Sequence, residues 1–440
     1  MKYLPLYNAI NSYAESSPAR FHMPGHKGKL SPLDVTEVAG TDNLHCPSGP
    51  ILESENLASH VFGAKQAYFL VNGSSAGNLA MLSLLKPGSR VLLGRNCHKS
   101  AISGLALAGM DHSPVYPDEN GAYSVETIAN ALDKEPCCAV LITSPAYNGV
   151  VSPINEIAKA VHERGALLFV DCAHGAHFAF SDRLPDVPSA ADAWCVSTHK
   201  TLSALTQTAL LLIGESAPFE REKVQRILGL YQSTSPSYEF MLSIESAVLT
   251  PGDWNSHVSR IERLREALSA IPEIKLLALC DIKKYDLTRL YIEKAGMNGY
   301  ALARYLEEER IICEMADSRA VTLITTPDDP DEWYERLIRA LSRLKLTQSP
   351  FGSFRSRLER SRGAKVKSVR EAVMGETEQQ PLESAAGRVC ASAVGCYPPG
   401  VAILFPGELI TEEAVRYLCS EAASGAELFG TLNGTVTVTK

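Results

Sequence analysis

An α/β fold with a mostly parallel sheet covered on both faces, followed by a smaller α+β C-terminal domain, is predicted by three observations. Short unbroken apolar runs recur at Gln66 to Val71, Arg90 to Gly94, Cys138 to Thr143, Ala166 to Val170 and Trp194 to Val196. Helical stretches alternate with them, which is the pattern of strands buried on both faces and joined by crossovers. Polar residues able to do chemistry stand at or just beyond the ends of these runs, among them Ser74, His98, Asp171 and Lys200. In open α/β sheets ligands gather at the carboxyl ends of the strands.

The 440 residues have room for a large core and roughly two or three domains. Hydrophobic residues make up 45% and charged residues 21%, ordinary for a globular chain. A net charge of -8 argues against nucleic acid as a bulk partner. The start, MKYLPLYNAINSYAESS, shows no apolar core behind a basic end, and no run is long enough to cross a bilayer. Eleven cysteines lie scattered without C-x-x-C spacing, which reads as reduced thiols and a cytoplasmic location.

Residues 1–50 begin with a short helical piece and become irregular at Phe21-His22-Met23-Pro24-Gly25-His26-Lys27-Gly28. The prolines and glycines make this an arm rather than a regular element. Its two histidines lack a carboxylate or thiolate nearby in sequence, so no metal is expected there. A large domain is expected over 51–272. It opens with a helix from Asn56 to Phe62, the first strand, the turn Asn72-Gly73-Ser74-Ser75-Ala76-Gly77-Asn78, and a helix from Leu79 to Leu85. Strand, small-residue turn and helix together present backbone N–H groups and a positive helix end to an anion.

The second strand delivers Arg95-Asn96-Cys97-His98-Lys99-Ser100 to the same edge. His98 reads either as a structural imidazole or as a flat ring for stacking on a planar group. The third run leads into Ser144-Pro145-Ala146-Tyr147-Asn148-Gly149, and a helix from Ile154 ends near Gly165. The fourth carries Asp171-Cys172-Ala173-His174-Gly175-Ala176-His177. Asp171 either caps the next segment or keeps a pyridinium nitrogen protonated.

After the fifth run comes Ser197-Thr198-His199-Lys200. A lysine there can form a Schiff base with an aldehyde while Ser197 and His199 hold a phosphate, which is the equipment pyridoxal 5'-phosphate requires. Taken alone it is a lysine after a strand; the three upstream stretches give it weight. A further strand follows at Ala209 to Ile213, and then the hydroxyl-rich loop Ser233 to Tyr238, a helix from Glu239 and a long charged helix from Asn255 to Ile271.

A second unit is expected over 273–440, with strands at Leu287 to Ile292 and Val321 to Thr325 and helices at Gly299 to Arg310 and Asp331 to Leu346. A basic stretch near 350–370 (Arg355, Arg357, Arg360, Arg362, Lys365, Lys367, Arg370) lacks interleaved aromatics and reads as a solvated linker.

These motifs, in this order, together with Gln232-Ser233-Thr234-Ser235-Pro236-Ser237-Tyr238 and Tyr397-Pro398-Pro399-Gly400, resemble the Orn/Lys/Arg decarboxylase family in its short form. The resemblance covers most of the chain. It implies an aspartate-aminotransferase-like fold, pyridoxal 5'-phosphate as cofactor and decarboxylation of a basic amino acid, arginine favoured over lysine or ornithine. Position by position it implies Lys200 as the Schiff-base lysine, Asp171 against the pyridinium nitrogen, His98 stacked on the ring and His174 close to the ring oxygen or the substrate. Ser74, Ser75, Ala76, Ala173, Ser197 and His199 would surround the cofactor, with Thr234 reaching the phosphate of a second subunit in a homodimer or larger homo-oligomer. A basic amino acid would need an acid or carbonyls at the far end of the site, and Glu408, Glu314 and Asp317 are the candidates. The chain departs from the pattern in having Cys172 where the family has Glu, and Ser75 where it has Thr. The rival readings are aminotransfer or elimination on the same fold, and a non-catalytic regulator; Lys200 and Asp171 argue against the latter. No nucleic acid, membrane or metal partner is expected.

Overall fold

The computed structural model describes residues 3–277, 284–344, 363–397 and 400–440. Arg355, Arg357, Arg360 and Arg362 of the basic stretch, and Pro398-Pro399, lie outside the described residues.

The large domain is built on seven strands: β1 (Gln66–Leu70), β2 (Arg90–Gly94), β3 (Asp111–Val115), β4 (Ala139–Thr143), β5 (Leu167–Asp171), β6 (Ala193–Val196) and β7 (Ala209–Ile213). Their order is β1-β7-β6-β5-β4-β2-β3, with β7 antiparallel to its two neighbours and the remaining pairs parallel. Successive residues of one strand point to opposite faces, so each strand feeds two cores. In β5, Leu168 and Val170 join one core and Phe169 the other; in β6, Trp194 and Val196 oppose Ala193 and Cys195. That double burial is why the strands read as unbroken apolar runs.

Two elements were not legible in the sequence. Strand β3, Asp-His-Ser-Pro-Val, is polar and contains a proline, which the sheet tolerates because β3 is its edge. The amphipathic helix Val125–Lys134 beyond it starts at Ser124, whose hydroxyl accepts from the Thr127 N–H. A third difference matters more. The helix expected from Leu79 spans Gly73–Ser83, so the Gly-Ser turn is its first turn. Glycine and serine are weak helix formers and hid it; tertiary packing decides. At Gly77 a Cβ would stand 2.8 Å from the Cys195 Cβ, so only glycine lets this helix lie so close to β6.

The long helix Trp254–Ser269 bridges two units. Trp254 and Val258 pack in a large-domain core, while Ile261, Leu264 and Leu268 pack in the next. The change from one core to the next therefore comes within this helix, ahead of the boundary expected at 272/273. The second unit is an antiparallel sheet, order β10-β11-β9-β8, of β8 (Ile274–Leu276), β9 (Arg289–Lys294), β10 (Met315–Ala316) and β11 (Ala320–Ile324). Residues 363–397 and 400–440 form a third core of their own. It is built on two three-stranded sheets, β12 (Thr377–Pro381) with β16 (Thr431–Leu432) and β17 (Thr435–Thr439), and β13 (Val394–Tyr397) with β14 (Val401–Leu404) and β15 (Glu427–Phe429). Ala402 and Phe405 reach back into a large-domain core, and Val401 bridges to His98.

Candidate active site

A cavity of about 560 Å³ opens at the carboxyl ends of the parallel strands, walled by the large domain on one side and by the second and third units on the other. Ser74, Ser75, His98, Asp171, Ala173, His174, Ser197, His199 and Lys200 all line it.

One end of the large-domain wall is an anion cradle. The helix Gly73–Ser83 has no side-chain cap, so its first-turn N–H groups are presented with the positive end of the helix dipole. Gly73 enters the helix at φ +70, a conformation that favours glycine. The Ser197 hydroxyl donates to Ser74 Oγ at 2.9 Å, tying the end of β6 to this helix. His199 donates from Nδ1 to the Thr208 carbonyl at 2.8 Å. A phosphate would need a second proton on Nε2, which burial opposes until an anion offsets it.

At the other end Asp171, the last residue of β5, is buried, and Asn78 Nδ2 donates to its Oδ2 at 2.8 Å. Between the two ends stands Lys200. Burial holds its ammonium below the ordinary lysine value. Its Nζ lies 3.0 Å from His174 Nε2. Burial, and after it the Lys200 charge, push His174 well below the usual histidine range, so its ring is neutral and Nε2 accepts from the lysine. The His174 ring packs on Tyr147 with centroids 4.4 Å apart, and its Nδ1 is buried without a partner. Lys99, the alternative lysine, is exposed and lies over the Phe429 ring instead.

The opposite wall is acidic. Glu314 and Asp317 both line the cavity, and so does Glu421, which sequence reading missed. Asp317 accepts from the Tyr291 hydroxyl at 2.8 Å and from the Arg319 and Ala320 N–H groups. Glu421 accepts from the Tyr300 hydroxyl at 2.8 Å. Burial raises the pKa of both carboxyls. Among the described residues none of the three has a cationic side chain at ion-pair distance. Glu421 sits in the helix Glu412–Ser424, where it reads as one more charge on an amphipathic face, and nothing nearby in sequence marks it.

Three expected residues fall elsewhere. Glu408 does not line the cavity; its carboxylate is 3.6 Å from Arg95 Nη2, a buried pair in which Arg95 also lies over the Phe405 ring at 3.6 Å. The reason is that β14 docks on the large domain and carries the following turn into its core. Thr234 is exposed on its loop, away from this cavity. Ala76 is buried in the helix behind the cradle. Cys172 points into a large-domain core rather than the cavity, because adjacent residues leaving β5 face opposite sides. His26 of the arm does have a carboxylate partner, Asp34, at 2.9 Å.

These groups fit pyridoxal 5'-phosphate: an uncapped helix end with hydroxyls for the phosphate, a buried carboxylate for the ring nitrogen and a depressed lysine between them. The orphaned His174 Nδ1 leaves one buried donor for a ligand oxygen.

Comparisons with known proteins identify the family and the fold. The model of the Orn/Lys/Arg decarboxylase major domain matches residues 29–286, and that of the Orn/Lys/Arg decarboxylase C-terminal domain matches 352–431. The chain is 33% identical to the uncharacterized protein YaaO of Bacillus subtilis, over 94% of this chain and 93% of that one. It is 29% identical to arginine decarboxylase of Bacillus subtilis, over 98% and 96%. Constitutive lysine decarboxylase of Escherichia coli is 23% identical over 93% of this chain and 76% of its own. The solved structure of that enzyme shares the fold, with a TM-score of 0.82 at 19% identity, covering 100% of this chain and 82% of the other.

Proposed function

The chain belongs to the Orn/Lys/Arg decarboxylase family and is a pyridoxal-phosphate-dependent amino-acid decarboxylase acting on a basic amino acid; we propose that its substrate is arginine and that the cavity residues divide the work as follows. When bound, the cofactor supplies a conjugated ring that accepts the electron pair left by CO2. Ser74, Ser75, Ser197, His199 and the first-turn amides of Gly73–Ser83 hold its phosphate. Asp171 would pair with its ring nitrogen, and His98 would stand against its ring. Lys200 is the amine that would carry it, and burial lowers its pKa, which favours the nucleophilic free amine. His174, neutral and 3.0 Å from Lys200 Nζ, accepts at Nε2 and holds the lysine amine in place.

The observation that carries the substrate reading is the wall of carboxyl groups facing Lys200 without an ion-pair partner of their own. Glu421 is buried and Asp317 half-buried, burial raises the pKa of both, and both are hydrogen-bonded to tyrosine hydroxyls rather than to cationic side chains. A guanidinium with its planar set of five donors answers several acceptors at once, where an ammonium is a compact point charge. Relatives named arginine decarboxylase also align with nearly the whole chain.

A second copy of the chain completes the site in this reading. Thr234 is free on an exposed loop, and Phe21 (96% exposed), Met23 and Leu30 present apolar surface from the arm. The ten described cysteines are all free, which supports a reducing, cytoplasmic setting. Among the described residues no helix is long and apolar enough to cross a membrane.

The test is CO2 release from carboxyl-labelled arginine, lysine and ornithine in parallel, with Lys200→Ala as background. Release from arginine well above the other two, and lost in the variant, is the expected result. Preference for lysine or ornithine overturns the substrate.

A further inference from the structure

Behind the cavity an unbroken hydrogen-bonded line runs from His98 to Asp171 through two buried side chains. His98 Nδ1 is 2.8 Å from Ser100 Oγ, Ser100 Oγ is 2.9 Å from Asn78 Nδ2, and Asn78 Nδ2 is 2.8 Å from Asp171 Oδ2. Asn78 is 0% exposed and Ser100 6%. The line joins two helices to the sheet: Asn78 is on the helix Gly73–Ser83, Ser100 on the helix Lys99–Ala108, and Asp171 ends β5.

The directions follow from chemistry rather than from atom labels. An ionised carboxylate only accepts, so the Asn78 amide must face it with its NH2 group. The amide oxygen then turns to Cys195, whose Sγ lies 3.4 Å away and donates to it. The second hydrogen of the NH2 group goes to Ser100 Oγ. That oxygen keeps a second lone pair, so the direction of its contact with His98 is set at the ring: Nδ1 accepts from the Ser100 backbone N–H at 3.2 Å, and the serine proton is then the one that bridges to it. Nδ1 therefore receives two donors, and the ring carries its proton on Nε2.

We propose that Asn78 is a positioning residue that, through Ser100, fixes His98 as the neutral Nε2–H tautomer and with the same amide orients the Asp171 carboxylate. The two groups read above as contacting the cofactor ring are then set together, by one amide that touches neither cofactor nor substrate. The inference rests on that assignment of His98 and Asp171. A neutral ring is what the surroundings favour: burial, Lys200 and Lys99 oppose its protonation while Asp171 favours it, and Gly400 lies beside its Cδ2–Nε2 edge.

Nitrogen-15 NMR of histidine-labelled protein, without substrate, reads the tautomer and the protonation midpoint of His98 directly. In wild type the Nε2–H form is expected across the neutral range. Ser100→Ala removes one donor to Nδ1 while leaving the Asn78–Asp171 contact, and Asn78→Leu removes both links. Each is expected to ease protonation of His98 by at least about threefold in its acid constant, through loss of hydrogen bonding to the neutral form, and to admit the Nδ1–H tautomer. Ser100→Thr, which keeps the hydroxyl, should restore the wild-type pattern. Titration with pyridoxal 5'-phosphate should show weaker binding for Asn78→Leu than for Ser100→Ala, since only the former frees Asp171. An Nδ1–H ring in wild type, or midpoints in both variants equal to wild type, overturns the proposal. These readings need no turnover, so a failure to release CO2 from any amino acid strikes the decarboxylase assignment and leaves the line from Asn78 to be judged on the spectra.

Discussion

On the large-domain wall of the cavity the polar groups are already engaged with their own chain. Ser197 holds Ser74, His199 holds the Thr208 carbonyl, and Asn78 holds Asp171. The facing wall, from the second and third units, carries Glu314, Asp317 and Glu421 with tyrosines, while its Arg319 is paired with Glu293 rather than with any of the three. The first wall is a preorganised socket, whose geometry is complete before a ligand arrives. The second holds like charges together at an electrostatic cost that an incoming cation relieves. In the proposed reading, the first wall serves the chemistry common to amino acids and the second the choice among them.

The strongest way to break this comparison is to separate the walls. Asp286, 0% exposed in the second unit, lies 3.2 Å from His177 of the large domain and 3.9 Å from Arg289. Asp286→Asn strands a buried guanidinium and is expected to cost about 3–5 kcal/mol, read by urea unfolding at neutral pH. The His177 and Arg289 groups hold this carboxyl at about 2 against the pull of burial, below its ordinary value. A depressed carboxyl contributes stability that is full above the unfolded value near pH 4 and fades as pH falls through about 2. The gap between wild type and variant should therefore narrow in acid; a gap that widens below pH 4 contradicts the sign.

Next in size is the socket itself. Asp171→Asn should lower kcat by about 10²–10³-fold, the cost typical of removing one preorganised electrostatic partner. Saturating CO2-release assays measure it, and KM should move far less.

The acid wall should behave in the opposite way. Glu421→Gln is expected to raise KM for the basic amino acid by about 10–100-fold, the loss of one hydrogen bond to a charged group, with kcat nearly unchanged. A fall in kcat at constant KM would place Glu421 with the socket instead. Smallest is Glu314→Gln. This side chain is exposed, and solvent screening limits its pairing to about 0–1 kcal/mol, a few-fold in KM at most. An effect of Glu314→Gln larger than that of Glu421→Gln would reverse the ranking of the two acids by burial.

Legibility in the sequence divides along the same line. Ser74, His98, Asp171 and Lys200 each follow an apolar run, so strand ends announced them. The helix start at Gly73 was hidden because small residues carry no hydrophobic period. Strand β3 was hidden because an edge tolerates proline and polar residues. Glu408, with a proline–glycine turn before it, read as a substrate acid, yet its partner Arg95 lies more than three hundred positions away and draws it out of the cavity. Glu421 failed the other way, a plain helical glutamate turned inward by the docking of the third core.

The sequence alone determined the parallel sheet, the order of its motifs and the identity of the socket residues, because burial on both faces and exit at a strand end are local patterns. Only the tertiary structure decided which acids face Lys200, that His174 is its hydrogen-bond partner, and that Asn78 ties His98 to Asp171. Those contacts join residues 22 to more than 200 positions apart. They depend on the close approach of packed elements, which no local period encodes.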